Sequence, residues 1–215
     1  MSAQDISVPD SRSPGSDLVL GPDDLSRCPW VGSGTSRGGA VEYRAYHDVE
    51  WGVEVRGEQA LLERLCLEAF QSGLSWLTIL RKREHFRRAF KGFEADVVSA
   101  YTPGDVESLL QDGSIVRNRR KIEATISNAQ ATVALRDAGG LEALFWSARP
   151  VAHTRPGRAG DVPATTAESA ALAAKLKAAG FKHLGPTTVY AAMQACGVVD
   201  DHLVGCFRAR CADPA

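Results

Sequence analysis

Apolar residues recur at helical spacing along most of the chain, and no long stretch alternates as a strand would. From about residue 58, Leu61, Leu65 and Glu68 fall on one narrow stripe, with Leu62, Cys66 and Ala69 beside them. Gly73 interrupts the run. Leu74, Trp76, Leu77, Leu80, Phe86 and Phe90 then support a second helix, which Gly92 ends. Thr102 to Asp112 reads as a short helix stopped by Gly113. Arg117 to Ala138 reads as a long one, with Ile122, Ile126, Ala129 and Val133 at helical spacing before Gly139 and Gly140. Leu141 to Trp146 is one more short helix, and the three prolines and two glycines of residues 149–164 mark a loop. Thr165-x-x-Glu168 reads as a capping box opening a helix that closes at Gly180. Val189 to Cys196 begins the last helix, which Gly197 ends. The pattern predicts an all-α fold without internal repeats.

At 215 residues, 44% hydrophobic and 24% charged, the chain has enough apolar material for a sizeable core. No apolar run is long enough to span a bilayer, and no signal-peptide pattern opens the chain. With five cysteines and no secretory signal, a cytoplasmic protein with free or metal-bound thiols is expected. Residues 1–25 hold five aspartates and one arginine among Ser, Pro and Gly, and read as a disordered acidic tail. The overall charge of −1 therefore leaves +3 on the rest of the chain. Residues 26–210 read as one domain and 211–215, with Cys211, as a short C-terminal tail. The glycine-rich loop at 31–40 does not fit a phosphate cradle, because Arg37 stands where the last glycine is needed and no strand precedes it.

Three groups of residues carry candidate chemistry. Cys28 and His47 near one end, with His202 and Cys206 near the other, make a two-thiolate, two-imidazole set suited to a closed, structural zinc site. Their spacing alone also allows core histidines and small buried thiols. Glu68 lies on an apolar stripe, where a carboxylate is costly unless a cation compensates it. Trp76 follows it, and Tyr43, Tyr46 and Trp51 surround His47, so one cavity could gather these rings; packed core aromatics are the plainer reading. Gly180 to Tyr190 has a helix-hairpin-helix layout, with Gly185-Pro186 at the hairpin turn and Thr187 starting the next helix. Backbone N–H groups there would suit a phosphate, and a plain corner between helices is the alternative. Two basic runs, Arg81 to Lys91 and Arg117 to Lys121, read as solvated helix faces, the second within reach of phosphate. His85, His153 and His183 have no evident partner and read as surface or structural residues.

Taken together, these stretches resemble the DNA-3-methyladenine glycosylase I family. The matching residues are Arg27-Cys28-Pro29-Trp30, Ala45 to Gly52, Leu67-Glu68, Gln71 to Trp76, Ile115 to Arg119 with Lys121-Ile122, Gly180-Phe181-Lys182, Gly185 to Thr188, Met193 to Gly197 and Asp201-His202. The resemblance implies a helix-hairpin-helix glycosylase with one structural zinc on Cys28, His47, His202 and Cys206. It places the pocket glutamate on Glu68 and base-contacting rings on Tyr46 and Trp76, with Tyr43 and Trp51 nearby; Gly185 and Thr187 would meet DNA. It further implies an enzyme that flips 3-methyladenine out of duplex DNA and hydrolyses its glycosidic bond, leaving an abasic site without strand cutting; a monomer is expected, though oligomeric state is not legible in the sequence. One departure is Asp200, where the family usually has Asn. Asp200 reads as a solvated neighbour of the metal site, with a role at the sugar cation as the alternative. Two rival readings are a non-catalytic zinc-stabilised DNA-binding module and a zinc hydrolase with an open ligand position.

Overall fold

A computed structural model describes residues 17–32 and 39–209. Among them, nine α-helices carry the fold: α1 (Gly39–Val49), α2 (Glu58–Gln71), α3 (Trp76–Ala89), α4 (Ala95–Ser99), α5 (Pro103–Gln111), α6 (Arg119–Leu135), α7 (Gly140–Trp146), α8 (Ala167–Ala178) and α9 (Pro186–Ala195). The only strands among these residues are β1 (Val19–Leu20) and β2 (Ser26–Arg27), an antiparallel pair with Val19 opposite Arg27. None of these helices is long and apolar enough to cross a membrane.

Helix α2 is the axis of the core. Leu61, Leu62, Leu65, Cys66, Leu67 and Phe70 are fully buried on it, and α3, α6, α7 and α9 pack around it. Phe70 and Phe86 meet at 4.5 Å between ring centroids, and Phe90 and Phe93 extend the same cluster. Each such side chain contributes about 2 kcal/mol of apolar burial, so the cluster fixes α2 against α3 and with it the gap between Glu68 and Trp76.

Several elements depart from the sequence expectations. Helix α1 was not visible in the hydrophobic pattern, because the face it turns inward carries Tyr43, Tyr46 and His47 rather than aliphatic residues. Its i, i+3, i+4 spacing aims these three the same way. Residues 17–25, expected in the tail, include β1 and its turn; the rest of that tail, the glycine-rich stretch 33–38 and Cys211 lie outside the described residues. Helix α6 starts after an Asn118 cap, not at Arg117, and gives way to a 3-10 turn at Arg136–Ala138. The short helix α4 went unpredicted. The capping box of α8 is formed by Thr166 and Ser169, one residue later than expected, with Thr166 in the extended cap conformation and its side chain accepting from the Ser169 N–H.

Helices α8 and α9 pack together through a turn that differs from the expected one. The left-handed positions are Gly180 (φ 102°) and His183 (φ 57°). Gly185 is instead the extended N-cap of α9, Pro186 its first residue, and Thr187 lies inside the first turn.

The basic runs are not simply solvated. Arg81 pairs with Glu42 (2.9 Å), Arg87 with Glu63 (2.7 Å) and Arg119 with Glu107 (2.7 Å). Lys121 turns inward, donating through Nζ to the carbonyls of Phe70 (2.8 Å) and Ser72 (2.6 Å) at the C-terminal end of α2. It is therefore withdrawn from the phosphate contact that its run suggested.

Candidate functional site

The four predicted metal ligands converge. The candidate ligand atoms of Cys28, His47, His202 and Cys206 all lie within 4.8 Å of one another, and all four residues are buried. Cys206 Sγ is 3.4 Å from His47 Nε2 and 3.6 Å from His202 Nδ1, and Cys28 Sγ is 3.8 Å from His202 Nδ1. Sulfur and nitrogen ligands on a tetrahedral zinc stand about 3.5 Å apart, so these three pairs lie close to the spacing that ion requires.

The imidazoles are oriented for the task. His47 Nδ1 donates to Asp48 Oδ1 (2.8 Å), which leaves the Nε2 lone pair facing Cys206. Asp48 is gripped in turn by Arg27, through Nε (2.9 Å) and Nη2 (2.7 Å). Burial works to raise the Asp48 carboxyl, but the hydrogen bonds from Arg27 and His47 outweigh it and hold it below its usual range. His202 Nε2 donates to the Trp51 carbonyl (3.2 Å), leaving Nδ1 for the thiols. Outer partners of this kind fix imidazole tautomers at metal sites. The two thiols divide: Cys28 beside it, then both imidazoles, draw Cys206 down, whereas Cys206 and burial push Cys28 up. Gly52 closes the cluster with φ 77°, and a Cβ there would stand 3.0 Å from His202 Nε2.

Beside this cluster opens a cavity of about 420 Å³. The predicted residues Tyr43, Tyr46, Trp51, Glu68 and Trp76 all line it. Tyr46 and Trp76 form one wall, their ring centroids 5.3 Å apart and their planes at 46°. Trp30, Gln71, Gln194 and Asp201 complete much of the lining; the sequence reading had them among the matching residues but gave them no place in the site. Trp30 touches the rings of Tyr43 (5.8 Å), His47 (5.2 Å) and Trp51 (5.3 Å) edge-on, so it ties the cavity wall to the ligand cluster. Its position two residues after Cys28 was the available signal. The Trp76 Nε1 donor is buried without a hydrogen-bond partner among the described residues.

Glu68 is 5% exposed, and its carboxylate takes no hydrogen bond among the described residues. Burial pushes its pKa up to about 8, with Arg64 pulling weakly the other way. Burial, and next Glu68, also raise the Tyr46 phenol. The site thus offers an acid short of a counter-charge, walled by aromatic faces: a slot for a flat, electron-poor ring.

Gly185 and Thr187 lie on the surface at the start of α9, away from the cavity lining. Asp200 is outside that lining as well. It accepts from Arg155 Nη2 (2.6 Å) and from the His202 backbone N–H (3.2 Å). His153, expected without a partner, places Nε2 at 3.0 Å from Asp201 Oδ1 and 3.1 Å from the Asp200 carbonyl. Asp201 Oδ2 accepts from Tyr190 Oη (2.6 Å) and Gln194 Nε2 (2.7 Å).

Comparison with known proteins agrees with this geometry. A family model described as methyladenine glycosylase matches residues 37–209. DNA-3-methyladenine glycosylase 1 of Escherichia coli (strain K12) is 43% identical over 187 residues, 85% of this chain and 96% of that one. The Haemophilus influenzae DNA-3-methyladenine glycosylase is 40% identical over 185 residues, covering 84% and 96%. A crystal structure of 3-methyladenine DNA glycosylase I superposes with a TM-score of 0.79 at 42% identity, covering 86% of this chain and all of that one. The Staphylococcus aureus 3-methyladenine DNA glycosylase I, solved for the structural basis of 3-methyladenine recognition, gives 0.76 at 34% identity, with 80% and 93% covered. With the matched residues taking in His47, His202 and Cys206 of the cluster and Tyr46, Glu68 and Trp76 of the cavity, the chain belongs to the methyladenine glycosylase family, hydrolases acting on N-glycosyl bonds.

Proposed function

We propose that this protein flips 3-methyladenine out of alkylated duplex DNA and hydrolyses its glycosidic bond, releasing the free base and leaving an abasic site. The observation that carries the reading is Glu68: buried, unbonded and short of a counter-charge beside the Tyr46–Trp76 wall. Methylation at N3 gives the base a delocalised positive charge, which that carboxylate offsets, while the rings stack on its face. Damaged bases are also the cheapest to unstack. An already cationic base is a good leaving group. Its glycosidic nitrogen takes the bonding pair and becomes neutral, water forms the new bond at C1′, and the water gives up a proton. Glu68 holds the base in place and accepts a hydrogen bond from its exocyclic amine. Among the described residues no lysine lines the cavity, and Lys121 is held by two backbone carbonyls. Hydrolysis without strand cutting is therefore expected.

In this reading zinc is bound by Cys28, His47, His202 and Cys206 and joins the two ends of the domain. With four protein donors the site is closed, which favours a structural role over a zinc hydrolase. Helices α8 and α9 form a helix-hairpin-helix element whose Gly185 and Thr187 N–H groups meet the DNA backbone. The protein acts as a monomer in the bacterial cytoplasm, at the nucleoid.

The test is incubation with methylated DNA followed by chromatography of released base, beside titration of free 3-methyladenine. Wild type should release 3-methyladenine, and Glu68→Ala should bind the free base weakly. Equal affinity in the two would remove Glu68 from the site. DNA binding without base release would favour the non-catalytic DNA-binding module.

A further inference from the structure

Away from the cavity, Arg120, Glu123, Ala124 and Ser127 on one face of α6 meet Lys182 and His183 across a surface cleft of about 450 Å³. The cleft carries unspent charge. Arg119, next in sequence, gives its guanidinium to Glu107, and Arg81 and Arg87 are likewise paired. Arg120 and Lys182 are exposed, and neither reaches a carboxylate at ion-pair distance among the described residues. Glu123, the one acid in the cleft, stands 3.7 Å from Arg119.

The cleft is also held in a set place. Asn128, fully buried on α6, grips Lys182 on both backbone edges: Oδ1 accepts from its N–H (2.7 Å) and Nδ2 donates to its carbonyl (3.4 Å). This grip sits next to His183, whose φ of 57° is uncommon for a residue with a Cβ. Seven residues before Asn128, which is two helical turns and so the same face, Lys121 holds the carbonyls of Phe70 and Ser72. The segment it holds leads directly into Trp76 of the cavity wall. Two buried polar side chains on one stripe of α6 thus lock the cleft and the cavity mouth to the same rigid rod.

We propose that Arg120 and Lys182 bind a phosphodiester of the DNA backbone in this cleft, with α6 setting the distance from that phosphate to the cavity. The proposal rests on the glycosylase reading but uses side chains distinct from the backbone contacts assigned to Gly185 and Thr187. A cation already paired with a carboxylate neutralises little phosphate charge, whereas an unpaired one that meets a phosphate frees the counterions condensed on the DNA there.

The experiment measures affinity for a short duplex carrying a stable abasic-site analogue, as a function of salt, for wild type, Arg120→Ala, Lys182→Ala and Arg119→Ala. Arg120→Ala and Lys182→Ala should each weaken binding and reduce the slope of log K against log salt by about one. Arg120→Lys and Lys182→Arg should restore the slope. Arg119→Ala should keep the wild-type slope, and all variants should bind free 3-methyladenine as wild type does, which reports an intact fold. An unchanged slope in both cleft variants, or an equal loss in Arg119→Ala, overturns the proposal. So does competition by inorganic phosphate beyond that of chloride at matched ionic strength, which would make the cleft a free-phosphate site. If the cleft variants behave like wild type while wild type still releases base, the cleft alone fails. If wild type neither binds the duplex nor releases base, the glycosylase reading fails with it.

Discussion

Arg64 stands one helical turn before Glu68 on α2, yet it gives its guanidinium to Glu50 instead. Arg64 Nη2 meets Glu50 Oε2 at 3.0 Å, and Arg83 Nη2 holds the other Glu50 oxygen at 2.9 Å. Arg64 Nη1 is left buried without a hydrogen-bond partner among the described residues. Burial works to raise the Glu50 carboxyl, but Arg83 and Arg64 outweigh it and keep it ionised. Glu50 thereby draws to itself the cation that would otherwise neutralise Glu68. The pocket acid keeps its desolvation penalty, and a cationic ligand can relieve it.

That penalty is measurable as stability. The Glu68 carboxyl titrates near 8 in the folded chain, against 4.5 for an ordinary glutamate. Its contribution to stability is therefore complete below about pH 4.5 and is lost as pH rises toward 8. Glu68→Gln should match wild type in Tm near pH 4, exceed it increasingly up to about pH 8, and hold a constant margin above. Every tenfold weakening of the acid on folding corresponds to about 1.4 kcal/mol. Thermal melts of the two proteins across this range check it, and a margin independent of pH would show that Glu68 ionises freely in the fold.

The same raised acid couples base binding to proton release. Near pH 7 the free protein carries Glu68 mostly protonated, and a cationic base should displace that proton. Calorimetry of an N3-alkylated, permanently cationic adenine derivative in buffers of different ionisation enthalpy should find close to one proton released per base bound. Glu68→Gln should release none. Equal proton counts for the two proteins would place the displaced proton elsewhere.

The Cys/His cluster yields a prediction about Asp48, which among the described residues reaches it through His47. Metal analysis of purified protein should give one zinc per chain. Asp48→Asn should weaken zinc binding about 10- to 100-fold, measured by competition with a chromophoric chelator. Because the ligands come from both ends of the domain, stripping the metal should cost structure and base release together. Loss of activity with circular dichroism and melting unchanged would point instead to a metal that takes part in the reaction.

Asp200 is predicted to be dispensable for the chemistry. Arg155 and the His202 backbone hold its two oxygens, and it is outside the cavity lining. Asp200→Asn should keep the rate of base release within about threefold, a difference below 1 kcal/mol in the barrier. A far larger loss in single-turnover assays would give Asp200 a role at the sugar cation.

By itself the sequence determined the helical class and most helix limits, since periodic burial of aliphatic residues and glycine stops are local properties written in order along α2, α3, α5 and α8. It also made Glu68 conspicuous, because a carboxylate on an apolar stripe conflicts with its neighbours whatever the tertiary arrangement. It could not reveal α1, whose inward face is built of Tyr43, Tyr46 and His47 and is satisfied by the cavity and the ligand cluster rather than by a core. Nor could it say which cations are spent. Arg119 and Arg120 are alike in sequence, and only the packing of α5 against α6 brings Glu107 to one and leaves the other unpaired among the described residues. The withdrawal of Arg64 toward Glu50 was equally hidden. Pairing of charges depends on distances of a few ångströms between segments far apart in the chain, and those distances are fixed only when the helices pack.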